Sequence, residues 1–202
     1  MTIERSEPAA GVHLLTLARP PANALSPELL AELSAAHTAS VEDGARALVI
    51  AGQPGMFSAG LDVPLLLGLD RAEMARFWRT FFGLLAQLAR SPVPVGIAIT
   101  GHCPAGGTVL ALFADYRIAA RGDFKLGLNE VRVGLPMPRL IYGAFRRLVG
   151  ARVAEQLGVA GELIGPEKAL EIGLVDAVEP PEEVRPRAIA KAEALANLPS
   201  EA

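Results

Sequence analysis

One stretch limits the fold more than any other: an apolar run that breaks into a tight turn and resumes at once as a second apolar run. Val95-Gly96-Ile97-Ala98-Ile99-Thr100 is short and uninterrupted, and reads as a buried strand. Gly101-His102-Cys103-Pro104-Ala105-Gly106-Gly107 follows, with a proline and two adjacent glycines. Thr108-Val109-Leu110-Ala111-Leu112-Phe113-Ala114 then reads as a buried helix. Strand, turn and helix make the repeating unit of an α/β protein. The first turn of such a helix leaves backbone N–H groups unpaired at the positive end of its dipole, so the turn is suited to an anion or a developing oxyanion. A short way on comes Glu130, a lone carboxylate with Leu128 before it and Val131 after it. The turn and this glutamate are read as facing one ligand.

The rest of the chain alternates in the same way. Strands are expected at Val12–Leu17, Ala47–Ala51, Tyr116–Ala120 and Leu174–Val178, with Phe124–Leu126 open as a further short one. A helix is expected from Ser26-Pro27, a cap followed by proline at the first helical position, to about Val41. Asp70-Arg71-Ala72-Glu73 has the spacing of a capping box and opens a helix carrying Phe77, Trp78, Phe81, Leu84, Leu85 and Leu88. Further helices are expected at Arg139–Val149, Ala151–Val159, Pro166–Ile172 and Pro181–Leu198. The pattern predicts an α/β fold with largely parallel pairing.

Composition removes several function classes. A net charge of −3 with 20% charged residues provides no basic face for nucleic acid. No apolar run approaches the ~20 residues of a membrane span. A single cysteine excludes an internal disulfide. Three scattered histidines make no metal constellation. The first residues, Met1 to Glu7, lack the apolar core of a secretory signal, and a cytoplasmic location is the expectation. His102 and Cys103 are sequence neighbours without a third orienting group, which argues against a nucleophile pair. The stripe Phe77, Trp78, Phe81 is read as core or subunit contact. By residue type alone, Glu130 stays open between a surface ion-pair partner and a catalytic group. The segments Leu17–Ser26 and Met56–Asp62 stay open between plain loops and ligand contacts.

Taken jointly and in order, Pro20-Pro21-Ala22-Asn23-Ala24-Leu25-Ser26, Phe57-Ser58-Ala59-Gly60-Leu61-Asp62, Cys103-Pro104-Ala105-Gly106-Gly107, Asp115-Tyr116-Arg117-Ile118, Gly127-Leu128-Asn129-Glu130 and Ala169 to Asp176 resemble the crotonase (enoyl-CoA hydratase/isomerase) superfamily. The likeness spans nearly the whole chain. The forms Cys-Pro-Ala-Gly-Gly and Gly-Leu-Asn-Glu are nearest to its short-chain Δ3,Δ2-enoyl-CoA isomerases of fatty-acid β-oxidation. The resemblance implies a spiral of ββα turns over residues 1–180. Residues 181–202 would then begin a helical C-terminal region, shortened here. It also implies assembly as a homotrimer or hexamer. The implied substrate is an acyl-CoA thioester, with CoA carried by the substrate and no further cofactor or metal. The implied oxyanion donors are the backbone N–H groups of Leu61 and Gly106, and the implied acid/base is Glu130. Asn23, Ala24, Ser58 and Ala59 are implied backbone contacts for adenine, and Arg19 a contact for the CoA phosphates. Hydratases of the family carry a second glutamate at the position of Val109, so this chain is expected to keep one carboxylate of the pair. The loop Gly134–Pro138 also lacks the glycine-rich continuation common in hydratases.

Overall fold

Two of the helix starts lie where the caps are. In the computed structural model, which describes residues 1–199, the chain opens with a hairpin of β1 (Ile3–Ala9) and β2 (Val12–Leu17). Helix α1 (Pro27–Glu42) begins at Ser26, whose Oγ accepts from Leu29 N at 3.2 Å. After β3 (Ala47–Ala51), β4 (Gly55–Met56) and a single turn, α2 (Val63–Leu66), comes α3 (Arg71–Ala89), which carries both hydrogen bonds of the Asp70/Glu73 capping box. The chain continues through β5 (Val95–Ile99), β6 (Gly101–Pro104), α4 (Gly106–Leu112), β7 (Tyr116–Ala120) and β8 (Leu126–Gly127). A 3-10 turn at Glu130–Val133 precedes α5 (Arg139–Val149), α6 (Ala151–Ala160), α7 (Pro166–Glu171), β9 (Ala177–Glu179) and α8 (Val184–Ala196).

The main sheet has the order β1-β2-β3-β5-β7-β9, and only the β1–β2 pair is antiparallel. Its inner strands β2, β3, β5 and β7 read as mainly apolar runs because both faces are covered. Leu15, Leu17, Leu48, Ile50, Ile97 and Ile99 face the helical layer that contains α1, α3, α4 and α5. Their alternates Val12, Leu14, Val49, Ala98, Ile118 and Ala120 face α8, which approaches through Ala188, Ala192 and Ala196. A second, small parallel sheet has the order β4-β6-β8. The mixed α/β architecture expected from the sequence is therefore present. Among the described residues no helix is long and apolar enough to cross a membrane.

Four elements differ from expectation, besides the two-residue β4 and the single-turn α2, which the sequence pattern does not announce. Strand β1 is not foreseeable from apolar pattern: only Ile3 is buried, and the charged exposed residues and Pro8 suit an edge that resists further pairing. Gly101–Pro104, expected as turn, is strand β6, because the chain leaves the main sheet after Ile99 and pairs with β4 and β8. The last strand starts later than expected, since the N–H groups of Leu174 and Val175 close α7 by donating to Ala169 O. The terminal helix is shorter than Pro181–Leu198 and forms the second layer of the sheet; residues 200–202 of the expected C-terminal region lie outside the described residues.

A buried polar clasp joins α1 to α3. His37 Nδ1 lies 3.1 Å from Gln87 Nε2, and its Nε2 lies 3.1 Å from Ser91 Oγ. Burial holds the imidazole below its ordinary value of 6.5. Between the lowered value and 6.5 the native state thus binds fewer protons than the unfolded chain, so this stability is complete above pH 6.5 and lost as pH falls from there through the lowered value. Stability is expected to drop by at most ~1.4 kcal/mol per pH unit from this one group. Urea unfolding between pH 8 and 5 measures the slope, and His37→Gln is expected to flatten it.

Candidate active site

The loops that leave β2, β3 and β5 all emerge at the carboxyl ends of parallel strands, the edge where α/β sheets place ligands. The first is pinned by Asn23, a non-glycine residue at φ 48°. Its Oδ1 accepts from Arg19 N at 2.9 Å, and its Nδ2 donates to Phe57 O at 3.0 Å. Ser58 Oγ donates to Asn23 O at 2.7 Å and accepts from Gly60 N at 3.2 Å. Asn23 and Ser58 are both buried, so their side chains stitch two loops together and leave backbone for any ligand. Ala24 is half-buried and Ala59 exposed at the cavity wall. Arg19 is engaged within the protein: Nη2 meets Asp62 Oδ2 at 2.6 Å and Nη1 donates to Ala24 O at 3.1 Å.

Leu61 forms a parallel bridge with Leu25, and the bridge uses its neighbours' groups. Leu25 N donates to Gly60 O at 2.8 Å, and Asp62 N donates to Leu25 O at 3.2 Å. Successive N–H groups of an extended chain point to opposite sides, so the Leu61 N–H faces away from Leu25. On the facing loop, Ala105 at φ 47° turns the chain into α4, and Gly106 supplies the first helical N–H. Among the described residues, neither Leu61 N nor Gly106 N donates a hydrogen bond. The two loops approach as closely as glycine allows. A Cβ on Gly106 would lie 3.3 Å from Leu61 N, and one on Gly60 would lie 3.0 Å from Gly106 N.

Both N–H-bearing residues line a cavity of about 320 Å³. Glu130, the first residue of the 3-10 turn, lines it too, and among the described residues it is the only ionisable side chain to do so. Its Oε2 is buried without a hydrogen-bond partner. Loss of hydration raises the carboxyl above its ordinary value, and the residue's own backbone N–H opposes this weakly. Val109, on α4, is buried in the same lining. The remaining wall is mostly apolar, with Trp78, Phe81 and Phe82 from α3 and Leu135, Pro138 and Ile141 opposite, and Asn129 next to Glu130 adds a polar side chain.

Part of this wall has a role beyond the one expected from the sequence. The stripe on α3, expected as core or subunit contact, is core at Phe77 and Phe81, while Trp78, partly buried against that core, also lines the cavity. Trp78 and Phe82, stacked with centroids 5.9 Å apart, face the cavity. The helical spacing of residues 78 and 82 is the signal available in the sequence. The neighbours His102 and Cys103 do not act together. His102 Nδ1 accepts from Lys125 N at 3.2 Å, whereas Cys103 is buried and its thiol is pushed up to about 12 by loss of hydration. Among the described residues, no group of three or more His, Cys, Asp or Glu is placed to hold a metal ion.

This arrangement, two N–H groups without a partner among the described residues and one desolvated carboxylate, all on residues lining one cavity, is suited to a developing oxyanion with a proton moving nearby. Comparison with known proteins gives the lineage. A family model described as enoyl-CoA hydratase/isomerase matches residues 7–202. Human mitochondrial enoyl-CoA delta isomerase 1 is 37% identical over 183 residues, which are 89% of this chain and 61% of that protein. A probable enoyl-CoA hydratase of Mycobacterium avium (strain 104) is 34% identical over 194 residues, 96% of this chain and 75% of that protein. The chain thus spans 61% of the length of the human relative. The crystal structure of human mitochondrial delta3-delta2-enoyl-CoA isomerase superposes with a TM-score of 0.94 at 34% identity, over 100% of this chain and 80% of that one. An enoyl-CoA hydratase from Mycobacterium ulcerans Agy99 gives 0.93 at 27% identity, over 100% and 87%. The backbone alone therefore does not separate the two reactions, but with the family pattern running from residue 7 onward it leaves no doubt of descent: the chain belongs to the enoyl-CoA hydratase/isomerase family.

Proposed function

We propose that the protein is an acyl-CoA isomerase that shifts the double bond of a 3-enoyl-CoA to the 2-trans position. The observation that carries this reading is Glu130, among the described residues the single ionisable side chain in the cavity, with the apolar Val109 in the same lining. Hydration must activate a water and manage a proton at the α-carbon, a task suited to two carboxylates. A double-bond shift needs one base. Glu130 takes the C2 proton, and the electron pair delocalises as a dienolate onto the thioester oxygen. The N–H groups of Leu61 and Gly106 stabilise that oxygen, each by about 3–4 kcal/mol on the scale of other oxyanion donors. The same carboxyl then delivers the proton to C4. A raised pKa suits this role, because it strengthens the base near working pH. The aromatic and aliphatic part of the wall fits an acyl chain. The reaction is redox-neutral and calls on no metal.

Hydration or thioester hydrolysis is the alternative, favoured by the hydratase among the relatives. A non-catalytic acyl-CoA-binding subunit is the other, and the unpartnered Glu130 Oε2 opposes it. Spectrophotometric assays with 3-enoyl-CoA substrates of several lengths, and hydration of 2-enoyl-CoA, decide among them. Isomerisation is expected to exceed hydration by ~100-fold or more, the usual worth of one positioned acid/base group. Hydration at an equal or greater rate overturns the proposal, and acyl-CoA binding without any turnover selects the subunit reading.

A further inference from the structure

We infer that the Arg19–Asp62 ion pair is a positioning device that aims the Leu61 N–H into the cavity; the inference rests on the oxyanion role proposed above for that amide. The pair joins residues 43 positions apart, one on the loop after β2 and one directly after Leu61. It is partly sheltered, with side chains 29% and 14% exposed, and its 2.6 Å contact is that of a charge-assisted hydrogen bond. Both Asp62 oxygens are engaged, since Oδ1 accepts from Leu65 N at 3.3 Å at the start of α2. The guanidinium is likewise held at two points, by Asp62 and by Ala24 O.

These contacts fix the peptide plane that carries the donor. The Leu61 N–H lies in the plane of Gly60 C=O, and that carbonyl is tied to Leu25 N at 2.8 Å. On the other side, Asp62 N is tied to Leu25 O at 3.2 Å. Leu25 itself is adjacent to Ala24, whose carbonyl Arg19 holds. The bridge therefore sets which way the amide points, and the ion pair clamps it from outside, at the end of the loop–loop contact that the Asn23–Phe57, Ser58–Asn23 and Ala59–Ala22 hydrogen bonds do not reach. Oxyanion donors act only within a narrow distance of the developing charge, and a misplacement of about 1 Å can cost about 100-fold in rate. A clamp on this plane thus works on the transition state more than on substrate binding. Neither Arg19 nor Asp62 lines the cavity, so the effect runs through Leu61.

The competing role for Arg19 is contact with the phosphates of CoA, and the two roles separate by experiment. Arg19→Met, Arg19→Lys, Asp62→Asn and the Arg19→Met/Asp62→Asn double variant are compared with two substrates. One is a 3-enoyl-CoA and the other the same acyl group as an N-acetylcysteamine thioester, which has no phosphates. The carbonyl stretch of a bound, carbon-13-labelled saturated acyl-CoA is recorded in parallel by infrared spectroscopy. Positioning predicts that Arg19→Met and Asp62→Asn each lower kcat about 10- to 100-fold on both substrates, with KM moved less than about threefold. The double variant is expected to be no worse than the poorer single, and Arg19→Lys to recover part of the loss. The carbonyl stretch, lowered by wild-type protein, is expected to return toward its free value in both variants. A KM effect confined to Arg19 variants and to the CoA substrate overturns the inference in favour of phosphate contact. Unchanged kcat and an unchanged stretch overturn it outright. Wild-type protein that lowers the stretch without isomerising contradicts the proposed reaction, and the variants' stretch still judges the clamp. Wild-type protein that leaves the stretch at its free value contradicts both.

Discussion

Glu130→Gln is expected to lower kcat for isomerisation by about 10²–10⁴-fold, the range for a positioned acid/base group, while leaving the protein folded and at least as stable near pH 7. The amide has nearly the shape of the carboxylate but does not take up a proton at working pH. The stability side follows from linkage. Burial raises the folded carboxyl above its ordinary value of 4.5, so the native state binds more protons than the unfolded chain between that value and the raised one. Stability therefore falls as pH rises through this window, and above it the ionised side chain opposes folding. Glutamine removes that opposition, and although Oε2 finds no partner, an unpaired neutral group is less costly than an unpaired charge. Thermal unfolding at pH 7 checks the sign: an unchanged or higher Tm is expected. In the wild type, the acidic limb of kcat/KM against pH is expected above 4.5, since only the ionised form accepts the C2 proton.

Gly60→Ala is expected to separate the two donors. Gly60 has φ +91°, a conformation that carries strain for any residue with a Cβ, and its Cβ would lie 2.9 Å from Ala105 Cβ and 3.0 Å from Gly106 N. Relief requires the Leu61 loop and the α4 turn to move apart. One misplaced oxyanion donor lowers kcat by about 10²–10³-fold in enzymes where a single donor has been removed. Strain and overpacking together should cost about 2–4 kcal/mol, or roughly 5–15 °C in Tm for a domain of this size. Gly44→Ala is the control. Gly44 has φ +86° with nothing within 4 Å of where a Cβ would stand, so that variant feels strain without approach. It is expected to lose about 1 kcal/mol of stability and no activity.

Local signals are legible in the sequence and long-range ones are not. The caps at Ser26 and Asp70 are read within four residues, and the structure has both. The inner parallel strands are buried along their length and mainly apolar because helices cover both faces, so each is visible as a run. Strand β1 is held by its register with β2 rather than by an apolar face, and five of its seven residues are exposed, so no periodicity marks it. The same limit applies at the site. Glu130, Leu61 and Gly106 are named by motifs in order, and the fold brings all three to one cavity. What orders them is non-local. Asn23 bonds to Phe57, 34 positions away, and Arg19 pairs with Asp62 across 43; neither partner follows from spacing. Trp78 and Phe82 are hidden for another reason. An aromatic stripe looks the same whether it meets the core or an apolar cavity, and only the placement of the 3-10 turn and α5 decides.

The central claim, one carboxyl carrying one proton between two carbons, has a direct test. A 3-enoyl-CoA bearing deuterium at C2 is converted in ordinary water, and the product is analysed by mass spectrometry and NMR for label at C4. The deuteron taken by Glu130 is sheltered in an apolar cavity, so a substantial part of it is expected at C4. Label lost entirely to solvent, with C4 hydrogen drawn wholly from water, would contradict the account.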